Sequence, residues 1–402
     1  MQTHDVVIVG GGMVGLTLAL ALAKQTGLSI AVLEARAEPI EWSLASYQPR
    51  VSAIALSSVR IFKALNVWDA ILAKRVSPFT QISVWDAKWQ GQVDFHAQDI
   101  AEASLGFIVE NSVIQQALLE KVQQSPNIKL VSPVDLVSLH DLPTGIELVA
   151  GNGQQFKAKL VVAADGAHSW VRQQVGIDIG QHDYLQKALV ATVQTTHPHH
   201  QIARQVFLET GPLAFLPLAS SNISSIVWSL PTTDADYLKT LSLDLFKQKL
   251  MHAFDGRLGE ITDVEQRFTF PLRHQQANQY VKSRVALIGD AAHTIHPLAG
   301  QGVNMGLLDA CSLADVISHA QKARRDFSSI HQLRRFERWR RADNMPMLKG
   351  IDVIKQFFAS DQKAIELLRY MGLETTNQLG MLKSMFIRHA VGNRTDLPAL
   401  AL

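Results

Sequence analysis

The chain has 402 residues, more than one ordinary core accommodates, so two domains or one domain with a large insertion are expected. A hydrophobic content of 47% and a charged content of 18% describe a globular protein, and the formal net charge of +2 favours neither nucleic acid nor acidic partners. Cys311 is the single cysteine, which rules out an intrachain disulfide, argues against a thiolate metal centre and fits a reducing, cytoplasmic setting.

The first apolar run, Val6–Ala23, is uncharged and long enough to pass a crude membrane-helix filter. Gly10, Gly11 and Gly12 would break any helix begun at Val6, and no basic leader precedes Asp5, so neither a membrane span nor a signal peptide is expected. The run instead divides into parts. Asp5–Val9 reads as a strand buried on both faces, and Gly10, Gly12 and Gly15 follow with the spacing G-x-G-x-x-G. In such a turn the first glycine makes the bend, the second admits a pyrophosphate to the backbone, and the third lets helix pack on strand. Leu16, Ala19, Leu20 and Ala23 then recur at helical spacing, predicting a helix over Met13–Lys24 whose amino end faces the phosphates. Ser29–Leu33 is a second strand, and Glu34 stands where a carboxylate can accept ribose hydroxyls. The turn alone does not separate NAD from FAD.

Further along, Leu160–Ala163 runs into Asp165 and Gly166, and Arg284–Ile288 runs into Gly289 and Asp290. Three strand-to-turn passages of this kind imply one long ligand along one sheet edge, most economically FAD. Asp290 suits a hydrogen bond to a polyol such as the ribityl chain. Pro297, Gly300, Gly302 and Asn304 form a loop before a helical run at Leu307–Ile317, and that helix start would stabilise a reduced flavin.

Between the second and third passages the texture changes. Ala188–Thr195, Ala203–Glu209, Ser224–Leu230 and Val264–Leu272 are β-rich and read as an antiparallel sheet, with Leu243–Phe254 as a packed helix; Phe207, Phe215, Trp228 and Phe270 are candidates for a flavin-facing wall, with ordinary core the favoured reading of each. His197, His199 and His200 sit in a polar turn without a nearby carboxylate, so no metal is assigned to them. His293 suits a structural hydrogen bond. Lys322–Arg341 carries eight basic residues and reads as a solvated helix face with Phe336 and Trp339 packed inward; contact with an anionic membrane is the sharper alternative. Leu367, Leu368, Met371, Leu379 and Met381 in the tail could close over an apolar substrate.

The motifs D-G-A-H-S-W-V-R at Asp165–Arg172 and G-D-A-A-H at Gly289–His293, with Pro297 and G-Q-G-V-N at Gly300–Asn304, resemble those of single-component aromatic hydroxylases. Segments R-V-S-A-I at Arg50–Ile54, V-E-N-S-V-I at Val109–Ile114, A-R-Q-V-F at Ala203–Phe207 and S-I-V-W-S-L at Ser225–Leu230 are similar to the ubiquinone-biosynthesis hydroxylases, above all to bacterial members acting on 2-polyprenylphenols at ring position 5. The likeness reaches Asp396–Pro398 and so spans essentially the whole chain.

The resemblance implies an α/β fold: a doubly wound Rossmann-like FAD-binding sheet, an inserted antiparallel β-sheet substrate domain, and a C-terminal helical region. The expected FAD-binding domain comprises residues 1–75, 100–175 and 283–345, the substrate domain 76–99 and 176–282, and the helical region 346–402. By the same resemblance Gly10, Gly12, Gly15 and Glu34 hold the ADP half of FAD, and Arg50 lies near the pyrophosphate. Asp290 meets the ribityl chain, and Gly300, Gly302, Val303 and Asn304 contact the flavin. Asp165, Gly166, Ser169 and Arg172 shape the nucleotide sites. Pro297 lines the substrate side of the flavin, with His296 beside it as a candidate for influencing a substrate proton. The implied activity is hydroxylation of a polyprenylphenol with dioxygen through a flavin hydroperoxide, with NAD(P)H as electron donor. Other ubiquinone-biosynthesis proteins and the inner-membrane surface are the implied partners. Hydroxylation of a different small phenol, a non-hydroxylating FAD reductase and an assembly subunit of the same fold stay open as rivals.

Overall fold

The computed structural model describes residues 1–37, 42–88, 91–294, 302–359, 388, 391–392 and 394–402. Among these an eight-stranded sheet contains the path Val281–Lys282, Val285–Leu287, Gln155–Ala163, Gln2–Val9, Ile30–Leu33, Ile128–Val131. From Val285–Leu287 to Ile128–Val131 neighbours are parallel, and a hairpin, Leu136–Leu142 with Gly145–Ala150, adds antiparallel strands beside Gln155–Ala163. The parallel strands have unbroken apolar stretches because helices cover both faces. Val6–Val9, Ile30–Leu33 and Leu160–Ala163 are all buried. Helix Met13–Gln25, the crossover from the first strand, lies against helix Gly302–Lys322. The second helix begins earlier than the periodicity predicts, since Gly302, Val303 and Asn304 are already helical.

A nine-stranded sheet follows the path His293–Thr294, Phe268–Ala277, Ile179–Thr195, Ile223–Pro231, Gly211–Pro217, Ile202–Leu208, Gln81–Asp86, Gln92–His96. Helices Thr232–Thr240 and Leu243–Ala253 cover one of its faces, burying Trp85, Leu189, Phe215, Trp228, Phe246 and Phe254. Phe215 and Trp228 therefore belong to a sealed core and not to a flavin-facing wall; the Phe215 ring stacks on Phe254 at 3.7 Å. Alternation along a strand puts Phe270 on the other face, in a small separate cluster with Ala188, Val190, Val227 and Leu272. Val206 lies in the helix-covered core, so Phe207 also points to that other face.

A three-stranded sheet, Val51–Ala55, Gly106–Glu110 and Val76–Phe79, adjoins the large ones, and only from Gln81 does the chain enter the nine-stranded sheet. Helix Ile330–Ala359 carries Arg334, Arg335, Arg338, Arg340 and Arg341 of the basic run, while Lys322, Arg324 and Arg325 precede it. Phe336 is buried as expected, but the solvated-face expectation fails at Arg340, which is 1% exposed. The last residues return to the main core through Leu397, Leu400 and Ala401, and Arg60 Nε donates to the Ala401 carbonyl at 2.6 Å. Leu367, Leu368, Met371, Leu379 and Met381 lie outside the described residues. Among the described residues no helix is long and apolar enough to cross a membrane.

Candidate active site

The register of the parallel strands brings the three turns together. Val9 pairs with both Ala163 and Leu33, and Ala163 pairs with Leu287, so four neighbouring strands end at one level. Hydrogen bonding continues into the turns: Gly10 N donates to Leu33 O at 2.8 Å, Ala164 N to Val9 O at 2.8 Å, and Ile288 N to Ala163 O at 3.0 Å. Gly10, Glu34, Asp165 and Asp290 consequently share one edge, the carboxyl end of the strands, where doubly wound sheets bind ligands.

The three glycines of the first turn differ physically. Gly10 has φ +110°, and a Cβ there would stand 2.3 Å from Ala164 O; at Gly15 a Cβ would stand 2.0 Å from Gly10 O. Both are required by close backbone approach. A Cβ at Gly12 would meet nothing within 4 Å, so the space before it is open. Glu34 Oε2 accepts from Gly11 N at 2.7 Å, and Gln115 Nε2 donates to Gly11 O at 2.9 Å, so the turn is held from two sides.

In the middle turn, Ser169 Oγ accepts from Arg172 N at 3.0 Å and caps helix Trp170–Gln174. Arg172 is buried and donates to Ala291 O and Ala167 O, both at 2.9 Å, tying this turn to the third. Asp165 Oδ2 accepts from Val171 N at 3.1 Å, while its buried Oδ1 has no partner among the described residues. Burial pushes the Asp165 carboxyl up, against the opposing bonds from Ser169 and Val171.

The third turn is built around Gly289, at φ +58°, whose missing Cβ leaves room for Val14; Gly306 makes room for the same side chain. Asp290 is open to solvent although dense protein surrounds it, the combination found in a cleft. Crowding pushes its carboxyl up, opposed by His293 and Arg50, and water access tempers that push. Arg50 lies over the Phe270 ring, 5.2 Å from its centroid, at the edge of the apolar cluster of the nine-stranded sheet. The segment leading to Arg50 is pinned by Arg75, which donates to Ser46 O at 2.7 Å, pairs with buried Glu110 at 2.7 Å and stacks on Tyr47 at 3.9 Å.

The Asn304 side chain joins protein to protein. Its Oδ1 accepts from Ala55 N at 3.0 Å and Ser58 Oγ at 2.8 Å, and its Nδ2 donates to Ala53 O at 2.8 Å. What helix Gly302–Lys322 offers a ligand at its start is backbone, since the first-turn amides of a helix lack intrahelical acceptors. His296, Pro297 and Gly300 lie outside the described residues. His293 makes the expected structural bond: Nε2 donates to Asp309 at 2.6 Å. Asp309, Arg340 and Asn344, which complete that buried polar cluster, are absent from the sequence expectations; carboxylates at Asp309 and Asp315 inside the otherwise apolar run Met305–Ile317 are the signal that could have pointed to the first of them.

A separate cleft of about 350 Å³ opens beside Ser77, Pro78, His199 and Leu218 and shares no residue with the three turns. Its buried His199 donates from Nε2 to Leu218 O and Ser220 O, each at 3.0 Å, and accepts from Gln201 N at Nδ1, so both ring nitrogens are used. Burial pushes that imidazole down, towards its neutral form.

The residues present fit a dinucleotide flavin: open space before Gly12, an orphaned acceptor at Asp165, and Arg50 beside Asp290. Comparison with known proteins agrees. The family described as FAD binding domain matches residues 3–342. The chain is 38% identical to the 3-demethoxyubiquinol 3-hydroxylase of Escherichia coli, covering 97% of this chain and 99% of that one. It is 38% identical to the ubiquinone hydroxylase UbiL of Rhodospirillum rubrum, over 97% and 90% of the two chains. It is 33% identical to the mitochondrial ubiquinone biosynthesis monooxygenase COQ6 of Homo sapiens, over 96% and 92%. Among solved structures, p-nitrophenol 4-monooxygenase from Pseudomonas putida superposes with a TM-score of 0.77 over 98% of this chain and 100% of that one; at 20% identity this speaks for the fold.

Proposed function

This chain belongs to the FAD binding domain family, among its ubiquinone-biosynthesis hydroxylases, and we propose that it inserts one oxygen atom into the ring of a polyprenylated phenol. The observation that carries the proposal is Arg50. Its charge acts on Asp290 at the carboxyl edge, and its guanidinium lies over Phe270, which belongs to an apolar cluster with Ala188, Val190, Val227 and Leu272. FAD, when bound, supplies the chemistry, taking reducing equivalents from NAD(P)H and activating dioxygen.

The chain's own residues bind and orient. Gly10, Gly12, Gly15 and Glu34 would hold the ADP half, with Arg50 near the pyrophosphate. Asp165, Gly166 and Arg172 would shape the middle of the groove, and Asp290 would accept from the ribityl chain. The backbone of Gly302, Val303 and Asn304 would meet the pyrimidine edge, where a helix start favours negative charge. The apolar wall would exclude water, which otherwise diverts the activated oxygen to hydrogen peroxide. Pro297 on the substrate side, His296 beside it and Gly300 at the flavin rest on resemblance alone. The prenyl tail calls for a hydrophobic path, so contact with a membrane surface and with other ubiquinone-biosynthesis proteins belongs to the same proposal.

Turnover with NAD(P)H, a short-chain prenylphenol and isotopically heavy dioxygen tests the reading. The product should be heavier by one labelled oxygen atom. NAD(P)H oxidation that leaves the phenol unchanged, with all oxygen recovered as peroxide, would favour the reductase rival.

A further inference from the structure

Two turns into helix Gly302–Lys322 lies a carboxylate with no contact to solvent, Asp309. Both its oxygens are occupied. Oδ2 accepts from Gly289 N at 3.0 Å and from His293 Nε2 at 2.6 Å. Oδ1 accepts from Arg340 Nε at 2.7 Å and from Asn344 Nδ2 at 3.3 Å. Arg340 and Asn344 come from helix Ile330–Ala359, and Arg340 is paired again with Asp343, which Arg394 of the C-terminal segment also reaches.

Burying a carboxylate costs several kcal/mol, and joining two helices could be done as well by apolar side chains. What apolar packing cannot do is accept from a backbone amide and an imidazole of the same turn at once. That is the task Asp309 performs on residues 289–293. The held turn carries Asp290, and the helix that holds it starts with Gly302, Val303 and Asn304. Asn304 fixes the same helix to Ala53 and Ala55 of the strand that follows Arg50, and to Ser58 just beyond it.

We infer that Asp309 is a positioning residue: it sets the distance between Asp290 and the helix start, and so the fit of FAD, without touching the cofactor. The inference rests on the reading that these two elements grip FAD. It predicts that affinity is lost separately from stability.

The test compares Asp309→Asn with Asp343→Asn. Both remove a carboxylate from one buried cluster, but only the first frees the turn. FAD affinity is read by flavin fluorescence titration, stability by thermal unfolding of apoprotein and holoprotein, and local order by amide hydrogen exchange at residues 289–292. D309N should bind FAD about tenfold more weakly or worse, a loss expected for small displacements of positioned groups. Exchange at the turn should rise. D343N should bind FAD within about twofold of wild type whatever its melting temperature. Should D309N not fold, His293→Leu keeps the Asp309–Arg340 pair and removes one of the two bonds to the turn, with about a threefold loss expected. Equal affinity losses in D309N and D343N, or none in D309N and H293L, would overturn the inference. Wild-type protein that takes up no FAD would overturn both it and the reading beneath it.

Discussion

Gly12→Ala separates a glycine needed by the fold from one needed by a ligand. Gly12 has φ −76° and ψ 179°, which alanine adopts without strain. Its Cβ would meet no atom within 4 Å. The substitution should therefore change apoprotein stability by no more than about 0.5–1 kcal/mol, because alanine restricts the unfolded chain but is a poorer N-cap than glycine for helix Met13–Gln25. Gly15→Ala is the contrast. Its Cβ would stand 2.0 Å from Gly10 O, a backbone atom that cannot swing aside, and a cost of about 1–3 kcal/mol or more follows. If the open space before Gly12 is where the pyrophosphate approaches, the added methyl group should weaken FAD binding at least about tenfold, roughly 1.4 kcal/mol. Urea unfolding of both apoproteins and fluorescence titration with FAD measure the two quantities. A Gly12→Ala protein that binds FAD as tightly as wild type would refute the assignment of the first turn to the phosphates.

Phe270→Ala removes an apolar wall residue and the stack under Arg50, so the apparent KM for a prenylphenol should rise and more NAD(P)H should end as peroxide. Phe215→Ala, on the sealed face, should instead cost about 3–5 kcal/mol in chemical denaturation. Arg172→Met would leave the Ala291 and Ala167 carbonyls without their charged donor, for a stability loss of about 2–4 kcal/mol seen in thermal unfolding. His293 and Arg340 hold the Asp309 carboxyl down to about 2, below its ordinary 3.8. The resulting stabilisation, about 2 kcal/mol, should be fully present above pH 4 and drain away as the pH falls towards 2, as urea midpoints between pH 6 and pH 2.5 would show.

The sequence made the carboxyl edge legible because its signals are local. A β-branched run, a glycine spacing and an acidic residue at a strand end each constrain their own neighbourhood. The wall of the substrate side was half legible. Spacing shows that Val206 and Phe207 face opposite ways, but nothing local says which way is the flavin, so Phe215 and Trp228 were grouped with Phe270. Arg340 looked like one more solvated cation because its neighbours Arg334, Arg335 and Arg338 are exposed; its partner Asp309 is 31 positions away. Such long-range pairing leaves no periodic trace. The early start of helix Gly302–Lys322 was hidden by glycines that read as loop, although Gly306 is there to admit Val14.

Competition between FAD and FMN for the apoprotein asks most directly whether one dinucleotide lies across all three turns. With the ADP half seated on Gly10–Glu34, FAD should bind in a one-to-one ratio and at least about a hundredfold more tightly than FMN, a difference of roughly 2.7 kcal/mol. Equal affinity for the two flavins, or protein that stays colourless with either, would contradict it.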